Sequence, residues 1–122
     1  MTTRRTFLAT LTAVSLAPAL AKAGAARTGK FTGPKRYGSG GAVEVTNTTV
    51  ALQRDFSLSR GPDPVVGLGK NGRYDPATFM GELKAKKGAQ SYAIPSGINV
   101  ADYDEVHIWC RRFNTGLGVA RL

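Results

Sequence analysis

The chain contains one cysteine, Cys110, and one histidine, His107, and these two side chains are the best suited to redox, metal or proton chemistry. A thiol donates electrons and ligates metals, and an imidazole moves protons or ligates metals. One cysteine excludes an intramolecular disulfide, a Cys-x-x-Cys redox pair and a cysteine-rich zinc site. One histidine excludes the multi-histidine metal centres. Counting therefore excludes most hydrolases and metalloenzymes, and we expect neither a stand-alone enzyme nor a metal site.

Both side chains lie in one predicted strand, residues 105–113. Successive side chains of a strand point to opposite faces of the sheet. The apolar face, which is predicted to contact the core, carries Val106, Ile108 and Cys110. The other face carries aromatic rings and cations: His107, Trp109, Arg111 and Phe113. We therefore expect Cys110 at the edge of the apolar interior, and His107 partly exposed on the sheet surface rather than in a catalytic triad.

Two further patterns resemble binding motifs but lack the context that such motifs need. Residues 67–72 match G-x-G-x-x-G, yet residues 73–76 cannot begin the long helix that a dinucleotide site requires. The pair Asn71-Gly72 indicates a tight turn instead. An acidic cluster precedes the central strand and is predicted to be a solvated loop rather than a calcium site: Asp102, Asp104 and Glu105.

Short strand-like segments separated by turn residues fill the chain after residue 23. Strands are predicted at residues 28–31, 42–45, 49–56, 65–68, 81–84, 90–94, 105–113 and 117–121. The only helical segments expected are single turns at residues 76–80, where Asp75 is the cap and Pro76 comes first, and at residues 100–103. About eight short strands predict an all-β fold, an antiparallel β-sandwich or small barrel, in a single domain over residues 24–122.

Residues 1–23 have the pattern of a cleavable export signal. Arg4 and Arg5 precede a short apolar run, and small residues follow at the A-x-A spacing. The run is shorter than the roughly 20 apolar residues of a membrane span, so we expect no membrane anchor after cleavage. Paired arginines followed by Phe-Leu are typical of the twin-arginine route, with an ordinary secretory signal as the alternative. We expect cleavage after Ala21 or Ala23 and an exported mature protein, periplasmic or secreted.

The positive charge of the chain narrows the choice of partners. The formal net charge is +9, and basic clusters occur at residues 84–87 and at Arg111-Arg112. Nucleic acid is not the natural partner of an exported protein, so anionic lipid head groups, acidic polysaccharide or an acidic protein fit better. The alternative is a domain whose basic loops contact only solvent.

Several short motifs occur in the order found in one known family. They include Gly29-Lys30-Phe31-Thr32-Gly33, Leu52-Gln53-Arg54-Asp55-Phe56, Gly61-Pro62-Asp63-Pro64, and the strand Val106-His107-Ile108-Trp109-Cys110-Arg111-Arg112-Phe113. With this ordered set, the chain from about Arg27 to Leu122 resembles the DM-thirteen (Skeletor-type) domain family. The resemblance implies an all-β extracytoplasmic domain with a role in electron transfer. It also implies that Cys110 is the redox or haem-ligating residue, with a haem-bearing or other redox protein as partner.

Two functions of different classes are therefore expected. The first is an exported β-domain with a redox or electron-transfer role centred on Cys110, with haem as the candidate cofactor. Arg111 and Arg112 adjoin this residue, and a nearby cation stabilises a thiolate. The second is a non-catalytic adhesion or ligand-binding module, in which Trp109 and Phe113 belong either to a covered layer or to a partner-contact patch.

Overall fold

A computed structural model describes residues 26–122 of the protein. The predicted export signal, with Arg4, Arg5 and both cleavage positions after Ala21 and Ala23, lies outside the described residues. The twin-arginine route and the domain boundary at residue 23 therefore stay predictions.

The described chain forms eight strands in one antiparallel sheet that curls into a half-barrel. The strands are β1 (Arg27–Thr32), β2 (Ala42–Val45), β3 (Thr49–Leu52), β4 (Pro64–Lys70), β5 (Arg73–Asp75), β6 (Gln90–Ala93), β7 (Glu105–Cys110) and β8 (Thr115–Arg121). Their order across the sheet is β5-β4-β7-β8-β1-β2-β3-β6. The all-β, antiparallel class predicted from the sequence is confirmed.

Strand β1 joins the two halves of the sheet. Its residues Arg27 to Lys30 pair with β2, whereas Phe31 and Thr32 pair with β8. Because one short strand changes partner along its length, the sheet bends there and its two inner faces turn toward each other. At the bend, the Phe31 ring contacts Phe56 edge-on, with 5.5 Å between the ring centroids.

The core lies on the concave side of this sheet and follows the predicted alternation. Val43, Val45, Val50 and Leu52 on β2 and β3 are at most 1% exposed. The core residues contributed by β4, β7 and β8 are Val66, Leu68, Val106, Ile108, Cys110, Leu117 and Ala120. Burying a large aliphatic side chain contributes about 1.5–3 kcal/mol, so this shared core holds the two halves together.

Three predicted strands differ from the observed ones by three or more residues. The strand predicted at residues 49–56 ends at Leu52, because Phe56 N–H bonds the Gln53 carbonyl and closes a turn. The strand predicted at residues 105–113 ends at Cys110, because the chain reverses so that Cys110 pairs with Thr115. Residues 81–84 form only an isolated bridge to β4, since Gly81 has a φ of 116° and interrupts the extended backbone.

The sequence did not predict β5, which pairs with β4 across a two-residue turn. That turn is the Asn71-Gly72 pair, as predicted, and its φ values of 57° and 78° are both positive, as a type I′ turn requires. A 3₁₀ turn, Pro76–Thr78, follows directly, and Asp75 Oδ1 accepts the Ala77 N–H at 2.9 Å. The expected cap and first-position proline are thus confirmed.

The second expected helical turn is also short. Val100–Asp102 is a 3₁₀ turn, and the guanidinium of Arg27 in β1 donates to the Val100 and Tyr103 carbonyls. Over residues 26–122, no helix has the length and apolar character that a membrane crossing would need.

Candidate functional site

Cys110 ends strand β7, where it pairs with Pro64 on one side and Thr115 on the other. Its side chain faces the core, as the alternation predicts, and is 0% exposed. Its Sγ accepts the Phe113 N–H at 3.4 Å. The thiol is therefore buried below the turn of residues 111–114.

Arg111 anchors this turn through a carboxylate pair. Its guanidinium donates to Asp63 at 2.9 and 3.2 Å and to Glu82 at 3.1 Å, and its backbone N–H bonds the Asp63 carbonyl. The hydrogen bond from Arg111 lowers the pKa of Asp63 below its ordinary value. The charge of Arg111 is therefore balanced by two carboxylates, whereas the sequence suggested that it would support a Cys110 thiolate.

The two side chains best suited to ligate a haem iron, Cys110 and His107, do not fit a haem in this conformation. Porphyrin ligation by Cys110 would need an open path to Sγ, yet the sulfur lies within the apolar core cluster. His107 is 4% exposed, and its Nε2 is bonded to Glu105. Across residues 26–122, no three His, Cys, Asp or Glu side chains lie close enough together to hold a metal ion.

Glu105 and His107 form a buried pair on the convex side of the sheet, and this corrects two sequence predictions. His107 was expected to be partly exposed, and Glu105 was expected in a solvated loop, but Glu105 is 0% exposed. Glu105 Oε1 lies 2.9 Å from His107 Nε2, and both carboxylate oxygens accept the Gly72 N–H, at 2.9 and 3.1 Å. Arg121 lies 3.5 Å away at the surface.

The carboxylate of Glu105 is kept ionised by this arrangement. Burial raises the pKa of Glu105, but the hydrogen bonds with His107 and Gly72 and the nearby charge of Arg121 together lower it by more, so the pKa of Glu105 lies below its ordinary value. The β4–β5 turn, through Gly72, is thereby tied to the central strand. Nothing in the residue alternation of β7 could have shown this contact, because the turn comes from a distant part of the sequence.

Two glycines of β4 on the convex side, Gly67 and Gly69, leave room for the rings of Tyr74 and His107. A side-chain carbon on Gly67 would overlap the Tyr74 ring, and one on Gly69 would lie 2.7 Å from His107 Nε2 and overlap the Arg73 carbonyl. The G-x-G part of the apparent nucleotide motif therefore permits close packing of Tyr74 and His107 on the sheet. These alternating glycines were the sequence signal that could have indicated a covered face.

Trp109 stacks on Tyr74 at the end of this ring-packed face. Their ring centroids are 5.0 Å apart at an interplanar angle of 22°. The Tyr74 ring also lies near the His107 ring, with 6.2 Å between the two centroids. Trp109 is half-buried, whereas Phe113, which was expected on the same face, lies in the turn and is 64% exposed. Sequence reasoning did not identify Tyr74 as a member of the site.

A groove of about 420 Å³ opens beside the stack, and we call it the aromatic groove. Its lining consists of Val65, Tyr74, Pro76, Phe79, Trp109, Arg111 and Asn114. A smaller groove of about 200 Å³ lies on the other side of Trp109 and reaches His107. Trp109 thus borders two surface grooves, while the next residue along the strand, Cys110, faces the core.

The fold and the site define a small all-β domain with one buried thiol at a strand end, next to a stacked aromatic pair. The family model described as Electron transfer DM13 matches residues 30–122. Since the match covers most of the chain, the protein belongs to the DM13 family, which indicates an electron-transfer role. The family resemblance is thus confirmed. No curated protein and no solved structure matches the chain.

Proposed function

We propose that Cys110 is the redox-active residue of this electron-transfer domain, and that Trp109 and Tyr74 carry the electron between the thiol and the surface. The observation that carries this proposal is the position of Cys110, which is fully buried but adjoins the half-buried Trp109 in β7. Peroxides must reach a sulfur atom to oxidise it, and susceptibility follows exposure. An electron can tunnel without such contact, so burial favours electron exchange over atom transfer.

The chemistry of the exchange is a one-electron step. The Cys110 thiol loses one electron to a high-potential one-electron oxidant carried by the partner, and its proton leaves past the turn of residues 111–114, which separates the sulfur from solvent. The thiyl radical returns to the thiol when a donor supplies one electron and a proton comes back by the same route. Trp109 and Tyr74 have oxidisable rings that stack at 5.0 Å, which makes them suitable intermediates.

Flash oxidation tests this route because Trp109 is the only tryptophan of the chain. A flash-generated ruthenium(III) polypyridyl complex oxidises the full-length protein, and transient absorption follows the tryptophan radical. In the wild type the radical should decay as Cys110 supplies an electron, and a sulfur radical should be detected by electron paramagnetic resonance. In Cys110→Ala the tryptophan radical, or the Tyr74 radical that forms from it across the stack, should persist. Equal radical lifetimes in the two proteins would exclude Cys110 as the electron donor.

We place the haem of the electron-transfer reaction on the partner protein. The burial of Cys110 in the core, and of His107, which is 4% exposed and has its Nε2 bonded to Glu105, supports this assignment. The visible spectrum of the protein purified from its own cells should show no Soret band. A Soret band that disappears in Cys110→Ala would assign the haem to this chain instead.

The proposal also includes export through the twin-arginine route, which rests on Arg4 and Arg5. Guanidinium groups form bidentate hydrogen bonds that ammonium groups cannot form. Changing both residues to lysine keeps the charge, yet it should leave the precursor in the cytoplasm when fractions are compared by immunoblotting. Unchanged export of this variant would assign the protein to the general secretory route.

The aromatic groove favours a second candidate function, the binding of a ligand from the cell envelope. Tyr74, Trp109 and Phe79 offer ring faces, and Arg111 and Asn114 offer polar groups at the rim. Such a mixture is usual in ligand sites of this size. Titration with envelope polysaccharide fragments should shift the Trp109 fluorescence, and Phe79→Ala should weaken the response. A constant fluorescence over the titration would reject this candidate.

A further inference from the structure

The net charge of the described chain is concentrated in three loops. Residues 33–41, 53–61 and 84–88 contain seven cations and one carboxylate, Asp55, whereas the rest of residues 26–122 contains seven cations and seven carboxylates. The seven cations of these loops are Lys35, Arg36, Arg54, Arg60, Lys84, Lys86 and Lys87. The sequence indicated only the last cluster, because the three loops are far apart along the chain.

Backbone contacts bring these loops together on one side of the half-barrel. Ser57 forms bridges with both Gly40 and Lys87. The Ser59 N–H donates to the Tyr37 carbonyl at 2.9 Å, and the Leu58 N–H donates to the Lys86 carbonyl at 2.8 Å. The middle loop is therefore hydrogen-bonded to both of its neighbours. We call the surface that the three loops form the basic face.

Most of the charge on this face is available to a partner. Lys35, Arg60, Lys86 and Lys87 are exposed, and among the described residues no carboxylate lies within ion-pair distance of them. The single carboxylate, Asp55, accepts the Ala42 N–H at 2.9 Å. The cations beyond the loops include several that are engaged locally, in the manner of Arg111 with Asp63 and Glu82.

We propose that the basic face is the docking surface for an acidic protein, the electron-transfer partner of this domain. Opposite charges steer encounter and set orientation, which suits the small and transient interfaces of redox complexes. The large apolar side chains that are exposed on the described chain, Phe79 and Phe113, lie outside the three loops. The face thus offers no fully exposed large apolar side chain for insertion into lipid, and this favours a protein over a membrane surface.

The basic face adjoins the thiol through the chain that follows it. Gly61 comes directly after Arg60 and lies against Leu117 of β8. Three residues further on, Pro64 pairs with Cys110. A partner bound at Arg60 would therefore sit next to the end of β7. The redox identity of the partner rests on the proposed function, whereas the docking surface rests on charge alone.

Charge reversal on the two outer loops of the basic face tests the proposal. The probe is a plant-type ferredoxin, an acidic iron–sulfur protein, and its dissociation constant from the full-length protein is measured by calorimetry at several salt concentrations. Three ion pairs at a partly solvated interface together strengthen binding about tenfold. The variant with Lys35→Glu, Lys86→Glu and Lys87→Glu should therefore raise the dissociation constant about tenfold or more at low salt.

The matched control makes the same change of charge elsewhere. Lys30→Glu, Lys70→Glu and Arg73→Glu alter exposed cations outside the three loops and should raise the dissociation constant less than about threefold. An equal loss in both variants would show that net charge alone governs binding and would overturn the proposal. The proposal would also be overturned if the protein bound phosphatidylglycerol vesicles in preference to phosphatidylcholine vesicles and did not bind ferredoxin.

The Cys110→Ala variant separates the docking proposal from the proposed redox function. Cys110→Ala should bind ferredoxin with the wild-type dissociation constant, because the basic face does not involve the thiol. If ferredoxin binds through the face while flash oxidation shows no role for Cys110, the docking surface stands and the redox assignment fails. If flash oxidation succeeds and the two charge variants bind alike, the docking surface fails.

Discussion

Replacing the Glu105 carboxylate by an amide should cost about 2 kcal/mol of stability at pH 7. Glu105→Gln keeps the shape of the side chain, and its amide can still accept the Gly72 N–H and donate to His107. The change removes the charge from two close hydrogen bonds, at 2.9 Å to Gly72 and at 2.9 Å to His107. A hydrogen bond to a charged group contributes about 1 kcal/mol more than a neutral one, which gives this total. Arg121 adds little, because its side chain is 76% exposed.

The pH dependence of this loss distinguishes the charge from the packing. The pKa of Glu105 is lower in the folded protein than its ordinary value of 4.5. Its charge therefore contributes full stability above pH 4.5, and the contribution is lost as the pH falls through the folded pKa. Urea unfolding followed by circular dichroism should show that the free energy of unfolding is higher for the wild type than for Glu105→Gln at pH 7. This difference should disappear at acid pH. A variant as stable as the wild type at pH 7, or a difference that does not depend on pH, would refute this account.

Three other measurements address the remaining contacts. Gly69→Ala should destabilise the fold by about 2 kcal/mol or more because its methyl group would overlap the Arg73 carbonyl and press on the His107 imidazole, whereas Gly40→Ala, whose nearest neighbour is 4.0 Å away, should be almost neutral in thermal melts. The Cys110 thiol should resist iodoacetamide in the folded protein and react in urea, and rapid alkylation without urea would contradict its burial. The emission of Trp109 should be partly quenched by acrylamide, and Tyr74→Ala should shift that emission to the red and increase quenching; unchanged quenching would contradict the stacked arrangement.

The sequence predicted correctly those features that depend on a single strand or turn. Alternation along β7 placed Val106, Ile108 and Cys110 in the core because backbone geometry alone sets the face of each side chain. The Asn71-Gly72 turn was equally predictable, since a type I′ turn needs two residues that tolerate positive φ. These inferences need no knowledge of which other strands lie nearby.

The cover over His107 and Trp109 could not be predicted from the alternation of residues within one strand. Alternation indicates that His107 and Trp109 share a face, but it does not indicate whether that face is covered. The cover comes from Tyr74 and Gly72, which belong to a hairpin more than thirty residues earlier in the chain. Likewise, the three loops of the basic face each have an ordinary composition, and only the bridges at Ser57 make them one surface.

The half-barrel leaves two sheet edges open, and their shortness has a consequence for self-association. A long free edge is a template on which a second chain can add a strand and begin aggregation. Here one edge is β5, with three residues, and the other is β6, with four. The Gln90 side chain further occupies the Ala85 and Gly88 carbonyls next to β6. Among residues 26–122, little unpaired backbone is therefore left along the two edges for a neighbouring molecule to pair with, which disfavours strand addition.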